Sequence, residues 1–142
     1  MRISHRTEQA LAALVLLGRQ APGGRVRLQD VAAALAVPHK VLESLLADLR
    51  LAGLIDSRRG PDGGHLLARP LAAIRVLEVV EAADGPLQIG EEPVATGDDG
   101  KAAARAMSGE WAQAIRAILG RTTLEDVALR ADSGAGQVDF SI

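Results

Sequence analysis

His39, Lys40, Glu43 and Ser44 fall within six consecutive positions, and Arg58 and Arg59 follow one short segment later, directly ahead of Gly60-Pro61-Asp62-Gly63-Gly64. These residue types suit the reading of a polyanion. Lys40 can meet a phosphate or a guanine edge, and the Glu43 carboxylate can accept from the N4 amine of cytosine. Arginines beside a glycine-rich tip can follow phosphates or enter a narrow minor groove, because the backbone there can approach closely (Gly60, Gly63 and Gly64). Taken singly, each of these polar side chains also fits a solvated surface. The elements that position them therefore decide.

The segment around the first group has the required two-faced pattern. Leu42, Leu45, Leu46 and Leu49 recur at spacings of three and four and form one apolar stripe. His39, Lys40, Glu43 and Ser44 project from the opposite side. Pro38 suits the first turn of this helix and pushes Val37 out of helical geometry. A shorter helix over 28–35, burying Leu28, Val31, Ala32 and Leu35, precedes it across a tight interruption. Gly53 ends the second helix, and the period then changes. Residues 54–58 and 65–68 read as two short strands joined by the glycine-rich turn.

Before this unit, residues 4–17 read as a helix capped by Ser4, and Gly18 to Gly24 form a loop. After Pro70, residues 76–82 predict a short helix stopped by Gly85-Pro86. A loop over 87–100 is rich in glycine, proline and acid. A helix from about Lys101 to Leu119 follows, capped by Asp98 or Asp99, with Met107, Trp111, Ala114, Ile115 and Ile118 as its stripe. Thr122-Thr123-Leu124-Glu125 fits a capping box for a last helical turn or two. The expected fold is mainly α with a small β-hairpin wing, which is the element order of a winged helix-turn-helix.

Composition bounds the function. At 142 residues and 48% hydrophobic content, one compact domain with an added oligomerisation element is affordable. Trp111 and Phe140 are the only aromatics, so the core must be aliphatic. No apolar run approaches the roughly 20 residues of a membrane span, and charges interrupt the N-terminus where a signal peptide would be apolar. A cytoplasmic protein is expected. The net charge of −2 divides unevenly, since residues 1–70 carry ten basic against six acidic groups and residues 71–142 hold the acidic excess. One end is thus suited to an anionic partner.

Other chemistries lack their residues. With no cysteine, there is no disulfide, thiolate metal site or cysteine nucleophile. The serines have no His/Asp arrangement, and Gly60 to Gly64 lacks the Lys-Ser/Thr of a phosphate-cradling loop. His5, His39 and His65 have no metal-ligand spacing. Glu91, Glu92, Asp98 and Asp99 form an acid run that reads as a solvated loop, with a hard-cation site as the alternative. No catalytic residue, metal ligand or cofactor is expected.

The stretch from Leu42 to Ile55 and the hairpin from Ser57 to Pro70 closely resemble the Rrf-two family of bacterial repressors, which includes an iron–sulfur cluster regulator, a nitric-oxide-sensing repressor and a cysteine-metabolism repressor. The opening Met1-Arg2-Ile3-Ser4, the Ile74-to-Pro86 stretch and Trp111 in the long helix are also similar, so the resemblance covers roughly residues 1–128. It implies a DNA-binding unit over 1–86 and a dimerisation helix and short C-terminal helix over 101–130; beyond them, Ser133, Gly134 and Gly136 mark 131–142 as a loosely held tail. It also implies base-reading positions at Glu43 and Ser44 with Lys40 near them, Arg59 in the wing, and pairing of the long helix with that of a second copy. A pseudo-palindromic operator on double-stranded DNA would follow from such a dimer.

The chain departs from that pattern in the 87–100 loop, where cluster-binding relatives carry three cysteines and this sequence has acids. Glu8 stands where some relatives offer a carboxylate to the cluster, and without cysteines it reads as a surface acid. An effector, whether a small molecule lodged between the dimer helix and the winged unit or a protein, is left open. The competing function is a protein-interaction module on a winged scaffold with little DNA binding of its own.

Overall fold

The computed structural model describes residues 3–89 and 99–134. The acidic loop positions Glu91, Glu92 and Asp98 lie outside them, as do residues 135–142 of the expected 131–142 tail, whereas Ala131 and Asp132 at the start of that tail belong instead to the last helix. The first helix, α1 (His5–Gly18), is capped as expected, with Ser4 Oγ accepting from the Thr7 amide at 3.0 Å. Helices α2 (Leu28–Leu35) and α3 (His39–Leu51) are joined by a turn in which Ala36 takes a left-handed conformation at φ 52°. A non-glycine residue rarely sits there. Here it turns the chain sharply enough for Val37 to be buried and for the Val37 amide to reach the Ala32 carbonyl at 3.1 Å.

Strands β1 (Ile55–Arg58) and β2 (Gly64–Leu67) pair antiparallel, with Ile55 opposite Leu67 and Arg58 opposite Gly64. An isolated bridge between Val26 and His65 adds a third edge, with amide-to-carbonyl distances of 2.8 Å in both directions. Gly64 adopts φ 136° and is buried under this crossing. A Cβ there would lie 2.8 Å from the Val26 carbonyl oxygen, so only glycine lets the two backbones meet.

A single 3-10 turn at Leu71–Ala73, absent from the sequence reading, leads into α4 (Val76–Asp84). The Arg75 amide donates to the Glu78 carboxylate at 2.9 Å, and Glu78 in turn holds Arg69 at the end of the hairpin at 2.7 Å. The long helix α5 (Asp99–Arg121) follows, then α6 (Leu124–Asp132). The capping box of α6 is displaced by one residue from the expected one. Thr123 accepts from the Asp126 amide at 3.1 Å, and Asp126 accepts from the Thr123 amide at 2.8 Å. Its nine residues also exceed the turn or two predicted.

The core is aliphatic. Leu14, Val31, Leu42, Leu45, Leu49, Leu54, Ile74, Val79 and Leu124 are fully buried where α1, α2, α3, α4 and α6 converge. Helix α5 stands apart, since none of its residues is buried. It lies against α4, where Arg116 pairs with Glu81 at 3.0 Å and donates to the Leu87 carbonyl at 2.9 Å. At about 1.5 Å per residue it is roughly 35 Å long. No helix among the described residues is long and apolar enough to cross a membrane.

Candidate nucleic-acid interface

Helix α3 buries the four leucines of its stripe and leaves His39, Lys40, Glu43 and Ser44 exposed on the other side. Its first turn has no side-chain cap. The orphan amides there, together with the positive end of the helix dipole, suit a phosphate. Between α3 and the hairpin lies a cleft of about 450 Å³ lined by Glu43, Ala47 and Arg50 from the helix and by Ser57, Arg58, Arg59 and His65 from the hairpin. The structure therefore brings Glu43, Arg58 and Arg59 to one opening, while His39, Lys40 and Ser44 lie outside its lining. Gly60 and Gly63 line an adjoining depression with Arg27 and Arg58. Gly64 also lines it but is buried, so its part is in the crossing with Val26.

The charges at this surface are not spent internally. Among the described residues, the ion pairs engage Arg6, Arg19, Arg25, Arg69 and Arg116. Lys40, Arg50, Arg58 and Arg59 are all exposed and enter none of these pairs. Charges left unpaired at one face raise the local concentration of an anionic partner. Arg50 is an addition to the residues expected from sequence. It lies on the far end of α3, and only the return of the hairpin shows that it shares a cleft with Arg58.

Two further residues shape the face without a sequence signal. Arg27 donates to the Pro61 carbonyl at 2.5 Å and ties the hairpin tip to the entry of α2. Arg6, from α1, donates through Nε to the Ala83 carbonyl at 2.9 Å and through Nη2 to Asp48 and to Ser44 Oγ, the latter at 3.4 Å. It braces α3 from the side and reaches one of the expected base-reading positions.

His65 sits half-buried at the root of the cleft, sharing a 2.7 Å hydrogen bond between its Nδ1 and Ser57 Oγ. Burial, aided by the nearby Arg50 and Arg25 guanidiniums, pushes its pKa below the usual 6.5. The folded protein thus disfavours the imidazolium that the unfolded chain forms near pH 6.5. Stability is full above that value and falls as pH drops through it, until the folded-state pKa is passed. The urea midpoint is expected to decline between pH 7.5 and pH 5.5, and the decline should shrink in His65→Gln. An equal decline in both proteins would remove His65 as the cause.

The expected dimer residues divide. Met107, Trp111, Ala114 and Ile118 are exposed, with Trp111 at 60%, Met107 at 52% and Ile118 at 48%. Ile115 is half-buried and turns toward α1 and α4 of its own chain.

Comparison with known proteins accords with this geometry. Residues 3–130 match the family model Rrf2, described as an iron-dependent transcriptional regulator. An HTH-type transcriptional regulator of Mycobacterium tuberculosis is 36% identical over 132 residues, covering 90% of this chain and 81% of that protein. IscR of Cereibacter sphaeroides is 37% identical over 117 residues, covering 81% and 71%. The solved structure of CymR, the global cysteine regulator of Bacillus subtilis, superposes with a TM-score of 0.74 at 30% identity, covering 91% of this chain and 97% of that one. The description "iron-dependent" does not carry over through a cysteine-ligated cluster. Such clusters need thiolates, and this chain has no cysteine. On fold, hairpin and sequence together, the chain is a cysteine-less member of the Rrf2 family of winged helix-turn-helix transcriptional regulators.

Proposed function

We propose that the chain acts as a homodimer that binds a pseudo-palindromic operator and represses transcription there, without an iron–sulfur cluster. The observation that carries this reading is the set of unpaired cations, Lys40, Arg50, Arg58 and Arg59, around a helix whose outward face is polar and whose inward face is core. In this reading α3 enters the major groove. Glu43 and Ser44 meet base edges, His39 and Lys40 lie at the helix entry, and Arg58 and Arg59, with the backbone of Gly60 and Gly63, follow the adjacent phosphates. The stripe of Met107, Trp111, Ala114 and Ile118 supplies the contact with the second copy, and Ile115 supports it from within. Residues 1–86 then form the DNA-binding unit and 101–130 the dimerisation unit.

Selection of genomic fragments by the purified protein near physiological salt tests this directly. A shared palindrome is the expected result, and uniform recovery without a motif would count against it. Repeating the selection with Glu43→Ala should relax preference at one position in each half-site, because a lost base contact removes about 1–3 kcal/mol of discrimination. Unchanged preference would remove Glu43 from the reading set.

A further inference from the structure

A second cavity, of about 360 Å³, opens where α1, α4 and α5 meet. Its walls are mostly hydrocarbon, supplied mainly by Leu11, Val80, Leu87, Ile115 and Leu119, with Ser4, Thr7 and Gln88 adding polar atoms, and Asp84 is the only charged side chain among the described residues that line it. The volume is near the lower end of the range for small-molecule sites, about 300–1,000 Å³.

Asp84 is exposed, and its hydrogen bonds set it at the N-terminus of α1, where an anion is favoured. It is the last residue of α4, where the helix dipole is negative and an acid is disfavoured. One of its oxygens, Oδ2, is held by two short hydrogen bonds, from Ser4 Oγ at 2.5 Å and from Thr7 Oγ1 at 2.7 Å. The other accepts none from the described residues. Among the described residues no cation is paired with it either. Arg6 donates its guanidinium to Ala83, Ser44 and Asp48, and Arg116 pairs with Glu81. An exposed, oriented carboxylate with a spare oxygen and no counter-ion among the described residues, at the edge of an apolar chamber, matches a cation with a hydrocarbon body.

We propose that this chamber binds a small organic amine, its ammonium on Asp84 and its apolar body against Val80, Ile115 and Leu119, and that occupancy alters DNA affinity. The route to α3 is short. Thr7 and Asp84 flank Arg6 and Ala83 in sequence, and Arg6 joins the Ala83 carbonyl to Ser44 and Asp48. A ligand that pulls on Asp84 shifts the end of α4 and the N-terminus of α1 together, and with them the brace on α3. The regulatory half rests on the DNA-binding reading above, whereas the binding half stands without it.

The test uses the full chain, titrated in a calorimeter with 2-phenylethylamine and with the matched neutral 2-phenylethanol, in the absence of DNA. Saturable binding of the amine is expected, at least about tenfold tighter than the alcohol, since a charge-assisted hydrogen bond is about twice as strong as a neutral one. Asp84→Asn, which keeps an acceptor for Ser4 and Thr7, should erase that preference, and Val80→Trp should abolish binding of both. Operator affinity, followed by fluorescence anisotropy, should then change on the order of tenfold with the amine. Arg6→Gln should lose that change while still binding amine. Equal heats for amine and alcohol, or amine binding untouched by both pocket variants, would overturn the proposal. So would a Val80→Trp protein that has become monomeric in sedimentation, because the chamber would then belong to the subunit contact. Amine binding with no DNA binding under any condition would leave the pocket standing and refute the regulator reading instead.

Discussion

Trp111→Glu is expected to convert the proposed dimer into monomers and to lower operator affinity by about a hundredfold or more. Trp111 projects from a helix with no buried residue, and it is 60% exposed in the single chain. Its removal therefore costs the fold little. At a subunit contact the same side chain would be a central aromatic anchor, and loss of such an anchor costs about 2–4 kcal/mol. A carboxylate buried in its place adds a desolvation penalty. Once the copies separate, each half-site is bound alone, and the gain from simultaneous engagement, about 10²–10⁴-fold, is lost. Sedimentation velocity and anisotropy on the palindromic site check the two effects together, with the thermal unfolding of the variant as the control for folding. A dimer that survives the substitution would place the subunit contact elsewhere.

The second large effect concerns the hairpin. Replacing both Arg58 and Arg59 by alanine should flatten the dependence of log affinity on log salt. If each arginine neutralises one phosphate in each copy, the slope falls by about 3.6, from four contacts at roughly 0.9 each. At 0.15 M salt that corresponds to roughly a thousandfold loss. The loss should be nearly uniform across sequences, in contrast with Glu43→Ala, because phosphate contacts carry no base information. The paired lysine substitution separates charge from shape. Full recovery of slope with incomplete recovery of affinity would indicate that a planar guanidinium is needed, as in a narrow minor groove. An unchanged slope in the alanine protein would move the DNA away from the hairpin altogether.

Much of this was legible from the chain itself, and the reasons are local. The leucine stripe of α3 is a periodic signal that nothing else in the segment contradicts, and Pro38 and Gly53 bound it. The hairpin was legible because its turn requires glycines that a helix would reject. Ser4 as a cap follows from a single hydroxyl ahead of an apolar stripe. The expectations that shifted are those set by distant parts of the chain. The α6 capping box moved from Thr122–Glu125 to Thr123–Asp126, since both pairs satisfy the pattern and backbone pairing chose between them. The Val76 amide bonds the Thr122 carbonyl at 2.9 Å, and the Leu124 amide bonds the Ile74 carbonyl at 3.0 Å. Ile115 reads as a stripe residue by spacing but turns inward because α4 and the Leu87 segment lie on that side. Arg6 gave no signal at all, as its partners are 38, 42 and 77 positions away.

That same backbone bridge, Arg75 to Thr123, has a mechanical meaning. It clamps the C-terminal end of α5 to the start of α4, while the helix itself rests on its own chain along one flank. With Arg116 also held on Glu81 and the Leu87 carbonyl, the C-terminal part of α5 is fixed and its N-terminal part extends from there as a lever. In a pair of such levers, a change of a few degrees at the two clamps would be multiplied along their length into a change in the span between the reading helices. The metre of the operator, the number of base pairs between its halves, would then be set at Arg75 and Thr123, two residues that need never approach the DNA.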